Sequence, residues 1–280
     1  MWFSQELTDW EDQEDRPISG TGEVTGGGGK SASLCERLAG LRAAMLGSKK
    51  VVFFGGAGVS TESGIPDYRS TGGLYRQTYA YPPETLLSRS FFRDNPEQFF
   101  GFYREKVLDP ALGAQPNDAH RALAQLEAAG SISAVITQNI DGLHQAAGSR
   151  HVLELHGSIH RNRCEYCGAF YRAGEVLSLL ETAPLPRCTQ AGCVGILAPD
   201  VVLYEDPLDH QTLEAATQAL AAADMLIIGG TSLAVNPAAS LVRLSTASTL
   251  VIINRQETWY DQNADILFHE NIADVLGIFC

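Results

Sequence analysis

Four cysteines in the middle of the chain have a spacing that suits a metal ion. Cys164 and Cys167 are separated by two residues, and Cys188 and Cys193, which follow after twenty more, are separated by four. Paired thiolates of this kind bind Zn²⁺ tetrahedrally, and four protein ligands leave no coordination position for a substrate. We therefore predict a structural zinc site, the alternative being buried cysteines that share this spacing by coincidence.

Side chains capable of acid–base and hydrogen-bonding chemistry follow two apolar runs. His156 comes directly after VLEL, and an imidazole with an ordinary pKa of ~6.5 can act as a general base near neutral pH. Gln138, Asn139 and Asp141 follow ISAVIT and can bind a ligand that carries an amide or a ribose. From these residues alone, a structural histidine and an Asx-turn at the strand end are the alternatives.

The loop GGAGVSTESGIPDYRS at 55–70 follows the apolar run VVFF and resembles a nucleotide-binding turn. Gly56 and Gly58 are the first two glycines of the pattern G-x-G-x-x-G, but Thr61 stands at the third position. The backbone N–H groups of Ala57 and Gly58 could hold a pyrophosphate where a helix starts. A tight strand-to-helix turn without a ligand explains the same residues.

Two later apolar runs also end in polar residues. After MLIIGG, Thr231 and Ser232 offer hydroxyls and backbone donors to a phosphate or a ribose, and after TLVII, Asn254 offers an amide to a second ribose. In an open parallel sheet, ligands bind beyond the carboxyl ends of the strands. Polar residues at five strand ends therefore indicate one extended cleft.

The elements that position these residues alternate between short apolar runs and helical stretches. We predict buried strands at 51–54, 132–137, 151–155, 225–230 and 249–254. The stretches AHRALAQLEAAG and LDHQTLEAATQALAAAD, by contrast, have the pattern of helices. The fold class predicted from this alternation is α/β, with a Rossmann-like parallel sheet that has helices on both faces.

Two insertions interrupt the alternation and predict a small module beside the sheet. The first, 72–110, is aromatic-rich and helical, and the second, 159–198, carries the four cysteines. The Rossmann-like part is then built from three segments: 35–71, 111–158 and 199–280. Residues 1–34 are acidic and glycine-rich, a composition typical of a disordered extension.

Composition and charge exclude several classes of function. The chain has 280 residues and a net charge of −13, which disfavours nucleic acid as a partner because phosphate binding needs a cationic field. It has no apolar run of about 18 residues and no signal-peptide pattern at the N-terminus, so we predict a cytoplasmic protein without a membrane span. The sequence does not set the oligomeric state, and a monomer is compatible with it.

The motifs GAGVSTESGIPDYR, TQNID, LHG, the paired cysteines, GTSL and INR together resemble, in order and spacing, the bacterial-type sirtuins. Sirtuins are NAD-dependent protein-lysine deacylases, and the resemblance covers about residues 35–280. It implies a Rossmann-like domain with a zinc module, and NAD and an acyl-lysine peptide that meet in the cleft between them. The reaction it implies cleaves NAD to nicotinamide and transfers the acyl group to ADP-ribose, giving O-acetyl-ADP-ribose.

The resemblance also implies roles for individual residues. His156 would be the general base, and Asn139 and Asp141 would act in the nicotinamide pocket, all three contacting NAD. The other NAD-binding residues would be Ala57, Gly58, Thr61, Asp67, Tyr68, Arg69, Gln138, Ile140, Thr231, Ser232, Asn254 and Ile272.

Three departures from the family pattern bear on the substrate. Tyr68 replaces a phenylalanine, and Glu205, in VLYED, replaces a glycine in the stretch that would bind the peptide. Sirtuins that remove succinyl or malonyl groups carry a Tyr-x-x-Arg pair, whereas this chain has Phe100 and Tyr103, with Arg104 one residue away. We therefore expect acetyl or another uncharged acyl group.

Two other functions remain open at this point. A mono-ADP-ribosyltransferase would also cleave NAD but would pass ADP-ribose to a protein nucleophile. A non-catalytic NAD-binding interaction module would keep the cleft without turnover. Asn139 and His156 favour deacylation, because the deacylation reaction needs a base.

Overall fold

A six-stranded parallel sheet lies at the centre of the computed structural model, which describes residues 33–67 and 79–280. In chain order, the strands of the fold are β1 (Val51–Gly55), β2 (Ile132–Thr137), β3 (Val152–Glu154), β4 (Gly157–Cys164), β5 (Phe170–Tyr171), β6 (Leu197–Val201), β7 (Met225–Gly229), β8 (Thr249–Ile253) and β9 (Ile266–Phe268). The α-helices are α1 (Leu34–Gly47), α2 (Pro83–Leu86), α3 (Arg89–Asp94), α4 (Pro96–Tyr103), α5 (Asp109–Gly113), α6 (Asp118–Ala128), α7 (Leu143–Ala147), α8 (Ala173–Thr182), α9 (His210–Ala222) and α10 (Ile272–Leu276).

The strand order of the large sheet is β3-β2-β1-β7-β8-β9, and every neighbouring pair is parallel. The chain runs outward from β1 in one direction, then crosses back and runs outward from β7 in the other. Adjacent connections that diverge in this way leave a crevice at the carboxyl ends of β1 and β7. The predicted polar strand ends converge on this crevice.

Alternate residues of each central strand face the two sides of the sheet, because successive side chains of a strand point in opposite directions. Val51 and Phe53 pack with residues of α1, α6 and α10 on one side. Val52 and Phe54 pack with residues of α9 and of the 3₁₀ segment Ala238–Leu244 on the other. The prediction of a parallel sheet with helices on both faces is therefore confirmed.

The second, smaller sheet has the order β5-β4-β6 and is antiparallel. Its apolar cluster joins residues between Leu86 and Ala111 to residues between Ile159 and Leu203. Phe92, Phe99 and Phe100 form its aromatic centre, with ring centroids 5.0–5.9 Å apart. The two predicted insertions thus share one cluster, while the exact domain boundaries stay a prediction.

The five predicted strands of the large sheet and both predicted helices are present. The sequence pattern missed the edge strand β9 and the small antiparallel sheet. β5 and β9 have only two and three residues, which is too short to show a period, and the polar sequence of β4 lacks the apolar run by which the other strands were predicted. Leu34–Cys280 pack as one compact unit. Among the described residues, no helix combines the length and apolar character needed to cross a membrane.

Candidate active site

Two neighbouring cavities open at the carboxyl edge of the large sheet. The sheet-edge cavity, about 670 Å³, is lined by the loops that follow β1, β2, β7 and β8. The module-side cavity, about 250 Å³, is lined by that same edge together with α4, the π-helical turn Arg104–Leu108 and residues 201–206. Gln138, Asn139 and His156 line both cavities, so these three residues lie where the cavities meet.

The glycine loop after β1 packs directly against the loop after β7. The Gly58 N–H donates to the Gly230 carbonyl over 2.7 Å, and a Cβ on Gly58 would lie 2.8 Å from Gly230 Cα. Glycine is needed here because the two backbones approach too closely for a side chain. The Gly58 N–H is thus bonded to the loop after β7, while Gly58 lines the sheet-edge cavity; its contact with a pyrophosphate stays a prediction.

A buried hydrogen-bonded group, formed by Ser60, Asn139 and Asp141, connects the glycine loop to the loop after β2. The Ser60 hydroxyl donates to Asp141 Oδ2 over 2.6 Å and accepts from Asn139 Nδ2 over 3.0 Å. The other Asp141 oxygen, Oδ1, accepts from the Leu143 N–H over 2.9 Å. Both acidic oxygens and the Asn139 amide are thus held in fixed positions at the edge of the cavity.

Ser60 itself was not among the residues identified from the sequence. Its hydroxyl also lies 3.5 Å from His120 Nε2, whose opposite ring nitrogen accepts from the Asn117 N–H in a capping box at the start of α6. The only sequence signal for Ser60 was its position within the glycine loop, since serine is common in turns without any ligand.

Two neutral histidines lie beneath this group. Burial lowers the pKa of His120 to about 4, against the charge of Asp141, and burial lowers the pKa of His144 to about 3. The two rings are 4.8 Å apart, centroid to centroid, and neither ring nitrogen of His144 has a hydrogen-bond partner among the described residues. Both side chains are therefore uncharged at neutral pH.

His156 is oriented by the backbone of the neighbouring strand end. Its Nδ1–H donates to the Gln138 carbonyl over 2.9 Å, so in the neutral ring Nε2 is the nitrogen without a proton. Burial lowers the pKa of His156, and the bond to the carbonyl opposes that effect only in part. The result is an imidazole that stays neutral near pH 7 and can accept a proton at Nε2.

The polar residues after β7 and β8 bind one another. Asn254 Oδ1 accepts from the Thr231 N–H over 2.9 Å, and the Asn254 amide donates back to the Thr231 carbonyl. Gln138 Nε2 donates to the Thr231 hydroxyl over 3.1 Å. The Asn254 side chain thus fixes the loop after β7 and also lines the sheet-edge cavity, so its contact with a ribose stays a prediction.

The remaining predicted residues divide between the cavities. The sheet-edge cavity alone is lined by Thr61, Asp67, Ser232 and Ile272, whereas Ala57 lines both cavities. Ile140 and Asp141 line the module-side cavity. Tyr68 and Arg69 lie outside the described residues. Arg255, the last residue of the INR motif, also lines the sheet-edge cavity and pairs with Glu62 over 2.7 Å.

The four cysteines meet as predicted. Their sulfur atoms all lie within 4.8 Å of one another, with 3.5 Å between the sulfurs of Cys164 and Cys193 and 3.6 Å between those of Cys167 and Cys188. Four thiolates at Zn–S distances of about 2.3 Å lie about 3.8 Å apart in a tetrahedron. The donor set and its geometry fit a structural zinc ion at the end of β4.

Lys106 is a cation in the lining of the module-side cavity that was not identified from the sequence. Arg104 points away, since its Nη1 donates to the Leu180 carbonyl over 2.8 Å. Lys106 does line the cavity, but its ammonium pairs with Glu105 over 2.8 Å and lies over the Tyr79 ring. Ile65, Leu87 and Val107 make much of the remaining wall apolar.

Comparison with known proteins gives consistent results. The model of the Sir2 family matches residues 56–237. An NAD-dependent protein deacetylase of Cutibacterium acnes is 52% identical over 232 residues, which cover 82% of this chain and 92% of that relative. A solved structure of a Sir2 variant with deacetylated p53 peptide and 3'-O-acetyl ADP ribose aligns with a TM-score of 0.79 at 35% identity, covering 85% of this chain and 95% of that one. A structure of Sir2 with p53 peptide and NAD⁺ aligns with a TM-score of 0.76 at 36% identity, with the same coverage of both chains.

Proposed function

Because the chain belongs to the Sir2 family and is an NAD-dependent protein deacetylase, we propose that NAD occupies the sheet-edge cavity and that acyl-lysine enters the module-side cavity. One observation carries this assignment: His156 and Asn139 line both cavities. Two substrates that react with each other must meet at shared residues, and these two side chains are at that junction. The reaction yields nicotinamide and transfers the acyl group to ADP-ribose.

His156 is the proposed general base. Its Nδ1–H is committed to the Gln138 carbonyl, so the proton must be taken up at Nε2. The lowered pKa keeps the ring neutral, and therefore able to accept a proton, at the pH of the cell. The same carbonyl would stabilise the imidazolium formed after proton uptake, because the Nδ1–H donates a stronger bond when the ring is charged.

We place the nicotinamide end of NAD at the junction of the cavities, where it would reach from the sheet-edge cavity past Asn139, which lines both, to Asp141, which lines the module-side cavity. A carboxamide needs an acceptor for its NH₂ group and a donor for its oxygen, and a carboxylate next to an amide supplies both. Ser60 and the Leu143 N–H hold the Asp141 oxygens before any ligand arrives. Because these groups are already ordered, less entropy is lost when NAD binds. More of the binding free energy can then favour cleavage of the bond between nicotinamide and ribose.

The rest of the NAD site is proposed from the cavity lining. Ala57, Gly58 and Thr61 would lie along the phosphates and ribose, and Ser232 and Ile272 would lie nearer the adenine half. The close contact between Gly58 and Gly230 allows the two loops to form a continuous wall. Asn254 and Thr231 line the same cavity and are proposed NAD contacts, with Asn254 also fixing Thr231. Tyr68 and Arg69 remain proposed NAD contacts by family resemblance.

The partner is an acyl-lysine peptide or protein, and an acetyl group is the favoured acyl group. The apolar wall of the module-side cavity suits a lysine chain with an uncharged acyl end. The structural zinc would hold the ends of β4 and β6 together and so support residues 201–206 beside that cavity. A cytoplasmic location, a monomeric state and the absence of a nucleic-acid partner stay predictions.

The function is tested by nicotinamide release from NAD, measured with and without acetyl-lysine peptide in the wild type and in His156→Ala. We expect release that depends on the peptide and is lost in the variant, with O-acetyl-ADP-ribose as the second product. Release without peptide, together with ADP-ribose attached to protein, would instead indicate a mono-ADP-ribosyltransferase. NAD binding with no release in either protein would indicate an interaction module.

A further inference from the structure

Glu205 adopts a backbone conformation that residues with a side chain rarely take. Its φ is +78°, in the left-handed region where the Cβ atom crowds the following carbonyl oxygen. Glycine takes this conformation without that penalty. A glutamate that persists here at the lining of the module-side cavity points to a use for its side chain.

The Glu205 carboxylate is held in one place. One oxygen accepts from the Ser90 N–H over 2.8 Å and the other from the Ser90 hydroxyl over 2.8 Å. The backbone beside it is fixed as well, because the Tyr204 N–H donates to the Leu87 carbonyl and the Tyr204 carbonyl accepts from the Arg89 N–H. The carboxylate is therefore ordered at the cavity mouth, although the residue is exposed to solvent.

The other charges near this mouth cancel in pairs. Arg89 is bound to Asp206 with 2.6 Å between Nη2 and Oδ2, and the Lys106 ammonium is bound to Glu105. Both hydrogen-bond donors to Glu205 are uncharged, and no salt bridge to Glu205 occurs within residues 33–67 and 79–280. Glu205 therefore supplies a net negative charge at the entrance, on a chain that is already acidic at −13.

We infer that Glu205 makes this entrance select acyl-lysine peptides that carry a basic residue directly beside the acyl-lysine. The inference rests on the proposed function, since it requires the peptide to enter the module-side cavity. A lysine or arginine side chain next to the acyl-lysine would meet a fixed carboxylate, whereas an acidic neighbour would meet repulsion. The substrate class is thus basic segments of proteins, as distinct from acidic ones.

The test compares three acetyl-lysine peptides that differ only in the two residues flanking the acetyl-lysine: arginine, glutamine or glutamate. We expect kcat/KM of the wild type to fall in that order, by about two- to fivefold at each step, as for an exposed charge pair. In Glu205→Gln, which keeps the size and one of the two hydrogen-bonding oxygens, the ratio of kcat/KM for the arginine peptide to that for the glutamate peptide should fall toward one. The wild-type ratio should also fall between ~0.02 M and ~0.5 M ionic strength.

Two further variants separate charge from other effects. Glu205→Gly removes the charge and relieves the backbone, so it should lose the same selectivity as Glu205→Gln. Glu97→Gln neutralises an exposed carboxylate on α4 that lines neither cavity, and it should keep the wild-type ratio. An arginine-to-glutamate ratio that is near one in the wild type, or unchanged in Glu205→Gln, would overturn the inference while leaving deacetylation intact. If none of the peptides is deacetylated, the proposed function itself fails.

Discussion

The Ser60 hydroxyl and the Asp141 carboxylate are joined by a 2.6 Å hydrogen bond across 81 residues of sequence. This bond connects the glycine loop after β1 to the polar loop after β2, at the junction of the two cavities. The same hydroxyl accepts from the Asn139 amide, so one side chain sets the positions of two proposed nicotinamide-binding groups. Ser60 is thus a positioning residue.

Removing the Ser60 hydroxyl should impair nicotinamide release without unfolding the protein. In Ser60→Ala, a buried oxygen of Asp141 loses its donor and the Asn139 amide loses its acceptor. Leaving such groups unpaired at the site should lower kcat/KM by about ten- to a hundredfold. Ser63→Ala is the matched control, because Ser63 lies on the same loop, bonds Asn117 and lines neither cavity. Equal activity of both variants would contradict the positioning role.

The acid limb of the pH–rate profile should lie at a lower pH than the ordinary pKa of a histidine would give. The proposed general base, His156, accepts a proton only in its neutral form, and burial lowers its pKa from 6.5. As pH falls, kcat/KM should therefore still exceed half of its plateau value at pH 6.5 and reach half of that value only at a lower pH. A kcat/KM profile measured from pH 5 to 8 with a midpoint above 6.5 would contradict the assignment.

Buried neutral histidines should make the fold less stable in mild acid. His144 has its pKa lowered to about 3 in the fold, whereas an unfolded histidine titrates near 6.5, so the unfolded state alone takes up the proton between those values. The stability contribution is complete above pH 6.5 and is lost as pH falls below it, by about 2 kcal/mol at pH 5. His144→Leu should show a smaller loss of unfolding free energy between pH 7.5 and 5 in urea titrations. An unchanged pH dependence would exclude His144 as a source.

Zinc should be retained by the four-cysteine site and by no other cysteine. Elemental analysis should find about one zinc ion per chain in the wild type and in Cys35→Ser, since Cys35 is exposed and outside the cluster. Cys188→Ser should lose the zinc and unfold at a lower temperature, because metal binding contributes directly to the folding free energy. A metal-free wild type with unchanged thermal stability would contradict a structural role.

A single methyl group at Gly58 should disturb the contact between the two central loops. A Cβ there would lie 2.8 Å from both the Cα and the carbonyl oxygen of Gly230, which are backbone atoms that cannot rotate away. We expect Gly58→Ala to cost about 1–3 kcal/mol of stability and to raise KM for NAD. Gly101→Ala, on α4 with open space around its Cβ position, should be neutral or stabilising. Equal stability and equal KM for NAD in the two variants would contradict the close packing of Gly58 against Gly230.

The features that could be predicted from the sequence are those that depend only on residues close together in the chain. Continuous apolar runs predicted the four central strands β2, β1, β7 and β8, because residues buried on both faces of a sheet must be apolar whatever their partners are. The fifth predicted strand, β3, lies at the edge of the sheet and is only half-buried. The spacing of four cysteines predicted a metal cluster, because thiolates have few other reasons to occur in two close pairs. The position of His156 after a strand placed it at the edge where ligands bind.

Hydrogen-bond partners, in contrast, required the fold. Asn254 and Gly58 were both predicted to contact NAD, and only the structure shows that each also bonds a residue of the loop after β7. Donors and acceptors at a strand end are equally suited to a ligand and to the neighbouring loop. Which of the two they contact depends on distances between segments that lie far apart in sequence.

The sequence by itself determined five strands of the sheet, the clustering of the four cysteines and the position of His156, since each follows from the burial or the spacing of nearby residues. The tertiary structure alone decided that Ser60 orients Asp141, that the Gln138 carbonyl leaves Nε2 of His156 free to take a proton, and that Glu205 is fixed at the cavity mouth. The physical reason is that a hydrogen bond depends on distance and direction to within tenths of an ångström. Those quantities exist only after distant parts of the chain have packed together.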